Sequence, residues 1–302
     1  MRPHLLMTPI LPFADPAIQN SSLLSCAREG DLDGVSKALA AGADPRAYNS
    51  AALCAAAACG SARCVELLLS GSDAGAKDSL ALAFAAYGGH AECVRILIPF
   101  CDPKAANSRA LTLAAAHGGS ECVRLLIPVS DAREARSEAL MRAARRGDAA
   151  SVILLIPATD PKSQDSEALR LAARGGHAAC VKLLAAASDP KARRSDALRQ
   201  ACRERAIDCV KLLLPVSHSL LSIPDVFLTA VESGNADVAA VLLDHDPAVL
   251  DSLEAPSSRE KMRGEHPALW ALLHSATERR ELAAAEYEAG AVGARGASAR
   301  RI

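Results

Sequence analysis

A motif of the form S-x-A-L-x-x-A-A-x-x-G, followed by C-V-x-L-L, recurs along the chain at a fixed step of 29 residues. Its serines are Ser50, Ser79, Ser108, Ser137, Ser166 and Ser195. Its alanine column is Ala56, Ala85, Ala114, Ala143, Ala172, Ala201 and Ala230. An internal period of this length indicates a stacked-repeat solenoid, in which each unit packs on its neighbours. Proteins of this kind usually bind other molecules rather than catalyse reactions, so the repeat predicts the architecture and favours a binding function.

Residues 102–130 represent one repeat. The Asp102-Pro103 pair predicts a turn, because Asp bonds its own backbone and Pro fixes φ. Ser108 then occupies the place of a helix N-cap. Aromatic residues make up only 3% of the chain, so alanine and leucine must pack the helices. Gly118 predicts the end of the first helix, and Pro128 the end of the second. The repeat is therefore predicted to be two helices joined by a turn.

The residues of this unit resemble the ankyrin repeat. The best match runs from Leu23 through Val35 to Gly42-Ala43-Asp44, and the G-H pairs at residues 89–90 and 176–177 also match. The resemblance covers about residues 20–245, or eight units, and implies an all-α, ankyrin-like helix-turn-helix solenoid. The family period is about 33 residues, which predicts shortened β-hairpin fingers here. Ankyrin repeats commonly bind through fingers and inner helices, so more of the binding is expected on the inner helices.

The domain organisation follows from where the repeat begins and ends. We predict an N-terminal extension over residues 1–19, eight ankyrin-like repeats over 20–246 and a linker loop over 247–266. A divergent capping unit at 267–290 and a disordered tail at 291–302 complete the prediction. Because no long apolar run occurs, we predict no secretory signal, no membrane span and no membrane partner.

The ten cysteines do not form a recognisable metal or disulfide pattern. Five of them share one repeat column with Ser151 and Val238, which indicates a small buried position. They are Cys64, Cys93, Cys122, Cys180 and Cys209. Free thiols in this number favour a reducing compartment. No nucleotide-binding glycine motif or hydrolase motif is present, so we predict no catalytic residues, no metal and no cofactor.

The surface feature of the sequence is arginine, concentrated between residues 131 and 217 in a chain of net charge −1. Positions three to four residues apart share a helix face, and first-helix positions just before the glycine face the groove of an ankyrin-like stack. The predicted partner-binding residues are Arg145, Arg146, Arg170, Arg174, Arg199, Arg203, Tyr87 and His117. The alternative interpretation is a solvated face whose charges serve solubility.

Two classes of function stay open on the sequence alone. The first is a monomeric protein-interaction scaffold whose concave face binds an acidic segment of a protein partner, since arginine pairs bidentately with carboxylates. The second is a nucleic-acid or phosphate-ligand binder, which the near-neutral charge and few aromatics make less expected. An enzyme site in residues 247–290 has no supporting motif. A cytoplasmic location is predicted, with delivery into a host cell as the alternative.

Overall fold

A computed structural model of the chain describes residues 16–131, 137–217, 223–253 and 266–298. Within these ranges the chain forms helices and no strand. Eight helix pairs follow one another: α1 (Pro16–Glu29) and α2 (Leu32–Ala40), α3 (Ala47–Cys59) and α4 (Ala62–Leu69), α5 (Ala76–Gly88) and α6 (Ala91–Leu97), α7 (Ala105–Leu113) and α8 (Ser120–Leu126), α9 (Glu138–Arg146) and α10 (Ala149–Leu155), α11 (Ser163–Arg174) and α12 (Ala178–Ala187), α13 (Ala192–Arg203) and α14 (Ile207–Leu213), α15 (Ile223–Glu232) and α16 (Ala236–His245). A long helix, α17 (Pro267–Ser298), follows them. The predicted all-α repeat fold is confirmed.

The helices belong to two compact units, each treated separately below. Unit 1 comprises Met1–Ala143 and Ala150–Asp160, and unit 2 comprises Ala144–Ala149 and Pro161–Ile302. First helices of consecutive repeats pack on one another within each unit, as α3 does on α1 and α5, and α13 on α11. The repeat therefore builds each unit by the same local packing.

The core of each unit is built from the repeat columns. Every member of the alanine column, from Ala56 to Ala230, is fully buried. The leucine near the start of each first helix is buried as well: Leu53, Leu82, Leu111, Leu140, Leu169 and Leu198. Complete burial of one leucine contributes about 1.5–3 kcal/mol. Alanine and leucine therefore pack the helices, as the sequence predicted.

Glycine and proline end the helices as their chemistry requires. Helix α5 is followed by Gly89, whose left-handed φ of 75° ends the helix without a clash. In the repeat at 102–130, a π-helical turn, Ala114–Gly118, extends the first helix to the predicted glycine. Two second helices, α6 and α10, pass into short 3-10 helices, Ile98–Phe100 and Ile156–Ala158. Each 3-10 segment contains a proline, which cannot donate the hydrogen bond that would continue the α-helix.

The start of five first helices differs from the prediction. Three consecutive residues adopt left-handed backbone angles before the right-handed helix begins, for example Tyr48, Asn49 and Ser50 with φ of 55°, 59° and 58°. The same turn recurs at residues 77–79, 106–108, 164–166 and 193–195. A left-handed residue other than glycine costs about 1–2 kcal/mol, so other contacts must hold the turn in place.

The serine that ends this turn does not cap the helix, so the N-cap prediction was wrong. At five of the six positions its hydroxyl instead accepts a hydrogen bond from the backbone N–H of an aspartate in the next repeat, and at Ser195 it donates to the carbonyl of Ser217. The distance from Oγ to the amide nitrogen is 2.8 Å between Ser79 and Asp102, and 2.8 Å between Ser166 and Asp189. Each serine of the column is buried. Because its hydroxyl is committed to the neighbouring turn, the serine joins consecutive repeats.

Hydrogen-bonded turns stand where β-hairpin fingers would be. Asp102 Oδ1 accepts the N–H of Lys104 at 2.9 Å, which confirms the predicted aspartate turn. A serine just before the aspartate donates to a carbonyl of the preceding turn, as Ser188 does to Pro161 at 3.1 Å. Each short connection is therefore bonded to the next, which satisfies backbone groups that would otherwise lack partners.

The C-terminal part of unit 2 departs from the predicted boundaries. Residues expected in a loop form a short 3-10 helix, Pro247–Leu253. Helix α17 continues to Ser298, so residues 291–298 of the predicted disordered tail are helical. This alanine-rich segment contains no proline to end the helix. The predictions for residues 1–15, 254–265 and 299–302 lie outside the described residues.

Candidate functional site

The exposed face of the first helices carries the predicted site residues. In α11, Ala168 and Ala172 are buried, whereas Glu167, Arg170 and Arg174 lie on the more exposed side. Their spacing of three and four residues places them along one helix face. Helix α13 repeats the pattern one step later, so unit 2 presents a charged surface built from consecutive first helices.

Two of the predicted arginines are engaged in ion pairs within the chain. Arg170 Nε lies 2.8 Å from Glu167 Oε2 and 3.7 Å from Asp196 Oδ2. Arg199 pairs with Asp196 at 3.5 Å, and its Nη2 donates to the carbonyl of Arg193 at 2.8 Å. The hydrogen bond with Glu167 raises the pKa of Arg170. Both guanidinium groups are half-buried and already neutralised, so they are less available to a partner.

The arginines nearest the helix ends behave differently. Arg145, Arg174 and Arg203 are exposed and lie one repeat apart in sequence. None of them forms an ion pair with a carboxylate of the described residues, and Arg146 is exposed beside the first. We call Arg145, Arg174 and Arg203 the arginine ladder. The next residue in the same column is Glu232, so the ladder is limited to three repeats.

Side chains from the following turns position the backbone beneath this ladder. His177 Nε2 lies 3.1 Å from the carbonyl oxygen of Arg145. Asn235 Nδ2 donates to the carbonyls of Cys202 at 2.9 Å and Arg203 at 3.4 Å. These bonds satisfy carbonyls that the end of the helix leaves without a partner. They also hold the backbone of Arg145 and Arg203 in place.

The histidines of the G-H turns therefore have a structural role. His90 Nε2 lies 3.0 Å from the carbonyl of Ala58, the equivalent bond in unit 1. The imidazole fills space that a glycine leaves, since a Cβ added at Gly60 would overlap Nδ1 of His90. The matching role of Asn235 was not predicted. The signal in the sequence was the position of Asn235 directly after Gly234, because two other repeats have a histidine at the equivalent position, His90 and His177.

The two predicted site residues of unit 1 form an aromatic contact. The rings of Tyr87 and His117 lie 4.6 Å apart between centroids, with an interplanar angle of 42°. Both side chains are exposed. The first-helix face here differs in character from that of unit 2, because Leu80 and Tyr87 occupy the repeat positions of Glu167 and Arg174.

The cysteine column is confirmed as a buried apolar position. Cys64, Cys93, Cys122, Cys180 and Cys209 are free thiols with no exposed surface. Burial raises the pKa of Cys93 and of Cys180 to about 11, so both stay protonated near neutral pH. In the part of the chain that the structure describes, no group of three or more potential metal ligands comes together.

Comparison with known proteins agrees with the repeat pattern. The family model described as "Ankyrin repeats (3 copies)" matches residues 53–138 and 140–222, which is more than half of the chain. No curated protein matches the chain. Among the described helices, none is both long and apolar enough to cross a membrane.

Proposed function

Because the chain belongs to the ankyrin repeat family, we propose that it is a protein-interaction scaffold whose arginine ladder binds an acidic segment of a partner protein. Ankyrin repeats are generally protein–protein interaction modules, and the family is typically non-enzymatic. The observation that carries the proposal is the contrast between Arg170, which is paired within the chain, and Arg174, which forms no ion pair with the described residues.

Electrostatics supports this use of the ladder. Exposed charges that lack a partner contribute little to folding, and like charges on one surface repel each other. A row of three such arginines is therefore explained better by a partner than by stability. Arginine suits carboxylates because its planar guanidinium group donates two parallel hydrogen bonds.

The alternative partner is a nucleic acid or a phosphate-bearing ligand. Phosphates would also pair with the ladder, but single-stranded nucleic acids bind mainly by stacking on aromatic side chains. Aromatic residues make up 3% of this chain, and its net charge is −1. A protein partner is therefore favoured. We propose that the scaffold has no catalytic activity and acts as a monomer in a reducing, cytoplasmic environment.

Charge reversal in two neighbouring repeats tests the proposal. The test variant carries Arg174→Glu and Arg203→Glu. The matched control carries Lys182→Glu and Lys211→Glu, which make the same change of charge on exposed residues of the second helices of the same repeats. Proteins captured from the native cell by the two variants and by the unmodified chain are compared by mass spectrometry.

The expected result is one acidic partner that the unmodified chain and the lysine control both capture and that the arginine variant loses. All three proteins should melt at nearly the same temperature, since the changed residues are exposed. Equal capture by the arginine variant contradicts the proposal. Loss of nucleic acid rather than protein from that variant would favour the alternative partner.

A further inference from the structure

Unit 1 contains an open groove on the exposed face of its first helices. The groove has a volume of about 460 Å³. Its lining residues come from α1, α3 and α5, and include Leu24, Cys54, Leu80 and Phe84. A site of this size lies within the range of natural ligand pockets. It can accept a few side chains of an extended peptide.

The groove has an apolar floor with basic edges. Arg28 and Lys77 are the charged residues that line it, and no carboxylate does so within the described part of the chain. Both cations are exposed, and neither forms an ion pair with the described residues. The surface is therefore complementary in charge to carboxylates placed on either side of an apolar side chain.

Two aromatic side chains show that this surface lacks a cover among the described residues. Phe84 is 37% exposed and Tyr48 is 62% exposed, although both carry large apolar rings. Tyr48 belongs to the left-handed turn that recurs before the first helices, and this turn places its ring at the edge of the groove. Aromatic residues on a groove edge are common anchors of protein interfaces, because they contribute much apolar area.

We propose that this groove binds a short acidic peptide segment with a central aromatic or aliphatic side chain. The apolar side chain packs against Leu80 and Phe84, and the flanking carboxylates pair with Arg28 and Lys77. The proposal is independent of the arginine ladder, whose residues belong to the other unit. A second copy of this chain and an uncharged apolar segment are the competing occupants.

The experiment uses the full chain carrying Arg174→Glu and Arg203→Glu, so that two of the three ladder positions repel the acidic probe. The probe is a fluorescein-labelled peptide, EDEFLDEDE. One control peptide, EDEGSDEDE, keeps the charge and lacks the apolar pair. The other, QNQFLQNQN, keeps the apolar pair and lacks the charge. Binding is followed by fluorescence anisotropy at low and high salt.

We expect the probe to bind at least about tenfold more tightly than EDEGSDEDE, since burial of one large apolar side chain supplies such a factor. It should also bind more tightly than QNQFLQNQN, which has no carboxylates to pair with Arg28 and Lys77. Phe84→Ala should weaken binding by about tenfold or more. The pair Arg28→Gln and Lys77→Gln should weaken it and reduce its salt dependence. The matched variants Phe100→Ala, and Arg63→Gln with Lys104→Gln, change exposed residues outside the groove and should have no effect.

Thiol chemistry gives a second readout that does not depend on a variant's folding. Cys59 is exposed and lines the groove, whereas Cys26 does not line it. Bound probe should slow alkylation of Cys59 by iodoacetamide and leave the alkylation of Cys26 unchanged. Four results overturn the proposal: no probe binding, equal binding of either control peptide, unchanged binding to the Arg28/Lys77 variant, or a dimer that Phe84→Ala dissociates.

Discussion

The hydroxyl of Ser137 should stabilise the protein by joining two repeats rather than by capping a helix. It accepts the N–H of Asp160 at 2.8 Å and donates to the carbonyl of the same residue at 2.9 Å. Ser137 is 2% exposed, so water cannot easily replace these bonds. Each hydrogen bond contributes about 1 kcal/mol net, so Ser137→Ala should lower the free energy of unfolding by about 2 kcal/mol.

An aspartate at the same position separates the two explanations. Aspartate is as good an N-cap as serine, so a capping role predicts that Ser137→Asp leaves stability nearly unchanged. In the structure, its carboxylate would face the carbonyl oxygen of Asp160 in a buried site and repel it. Ser137→Asp should therefore cost more than the alanine change.

Urea unfolding followed by circular dichroism measures both variants. Ser70→Ala is the control, because the Ser70 hydroxyl is exposed and donates locally, to the carbonyl of Leu67 at 3.0 Å. That change should cost less than about 0.5 kcal/mol. If Ser137→Asp is as stable as the unmodified protein, or Ser137→Ala equals the control, the inter-repeat role of the serine is refuted.

Three further predictions concern the core and the turns. Ala143→Leu should overpack a fully buried site and cost about 1–3 kcal/mol in urea unfolding; a neutral result would mean that the alanine column is not tightly packed. Gly147→Ala should cost more than about 1 kcal/mol in the same assay, because Gly147 has a φ of 82° and its added Cβ would lie 2.5 Å from Nδ1 of His177. Burial raises the pKa of Cys93 and Cys180 from 9.0 to about 11, so the folded state holds protons that the unfolded state loses in this range. The stability that their protonation contributes should therefore be fully present below pH 9 and be lost as the pH rises to 11. Urea midpoints that stay constant between pH 9 and 11 would contradict this prediction.

The helix pairs and their core could be predicted from the sequence because the packing repeats. One column of alanine and one of leucine recur at a constant step, and a constant step requires a constant environment. The column of Cys122 is a second example, because Ser151 and Val238 occupy the same repeat position and all three side chains are buried. Periodicity alone therefore identified the buried side of each helix.

The turn before each first helix could not be predicted in the same way. A serine ahead of an apolar helix is the usual sign of an N-cap, and the same residue serves here as an inter-repeat bond. A weak signal was present, since Asn49, Asp78, Asn107 and Asp165 precede four of these serines. Asparagine and aspartate tolerate left-handed backbone better than other residues with a Cβ.

The candidate site was predictable only in part. The column at Arg145, Arg174 and Arg203 follows from the repeat, and the structure leaves all three exposed. Arg170 pairs with Glu167 of its own helix, as the spacing of three residues allows, and it also contacts Asp196 in the next repeat at 3.7 Å. The second pairing is set by how two helices pack. Sequence spacing gives the face of one helix but not the contacts between neighbouring helices.

Binding by the arginine ladder is tested by the affinity of the captured partner's acidic segment, measured as a synthetic peptide by isothermal titration calorimetry. The unmodified chain should bind it with an affinity that falls as salt is added. Arg174→Glu with Arg203→Glu should weaken binding by about tenfold or more, while Lys182→Glu with Lys211→Glu leaves it unchanged. Equal affinity for the unmodified chain and the arginine variant would mean that the arginine ladder does not bind the partner.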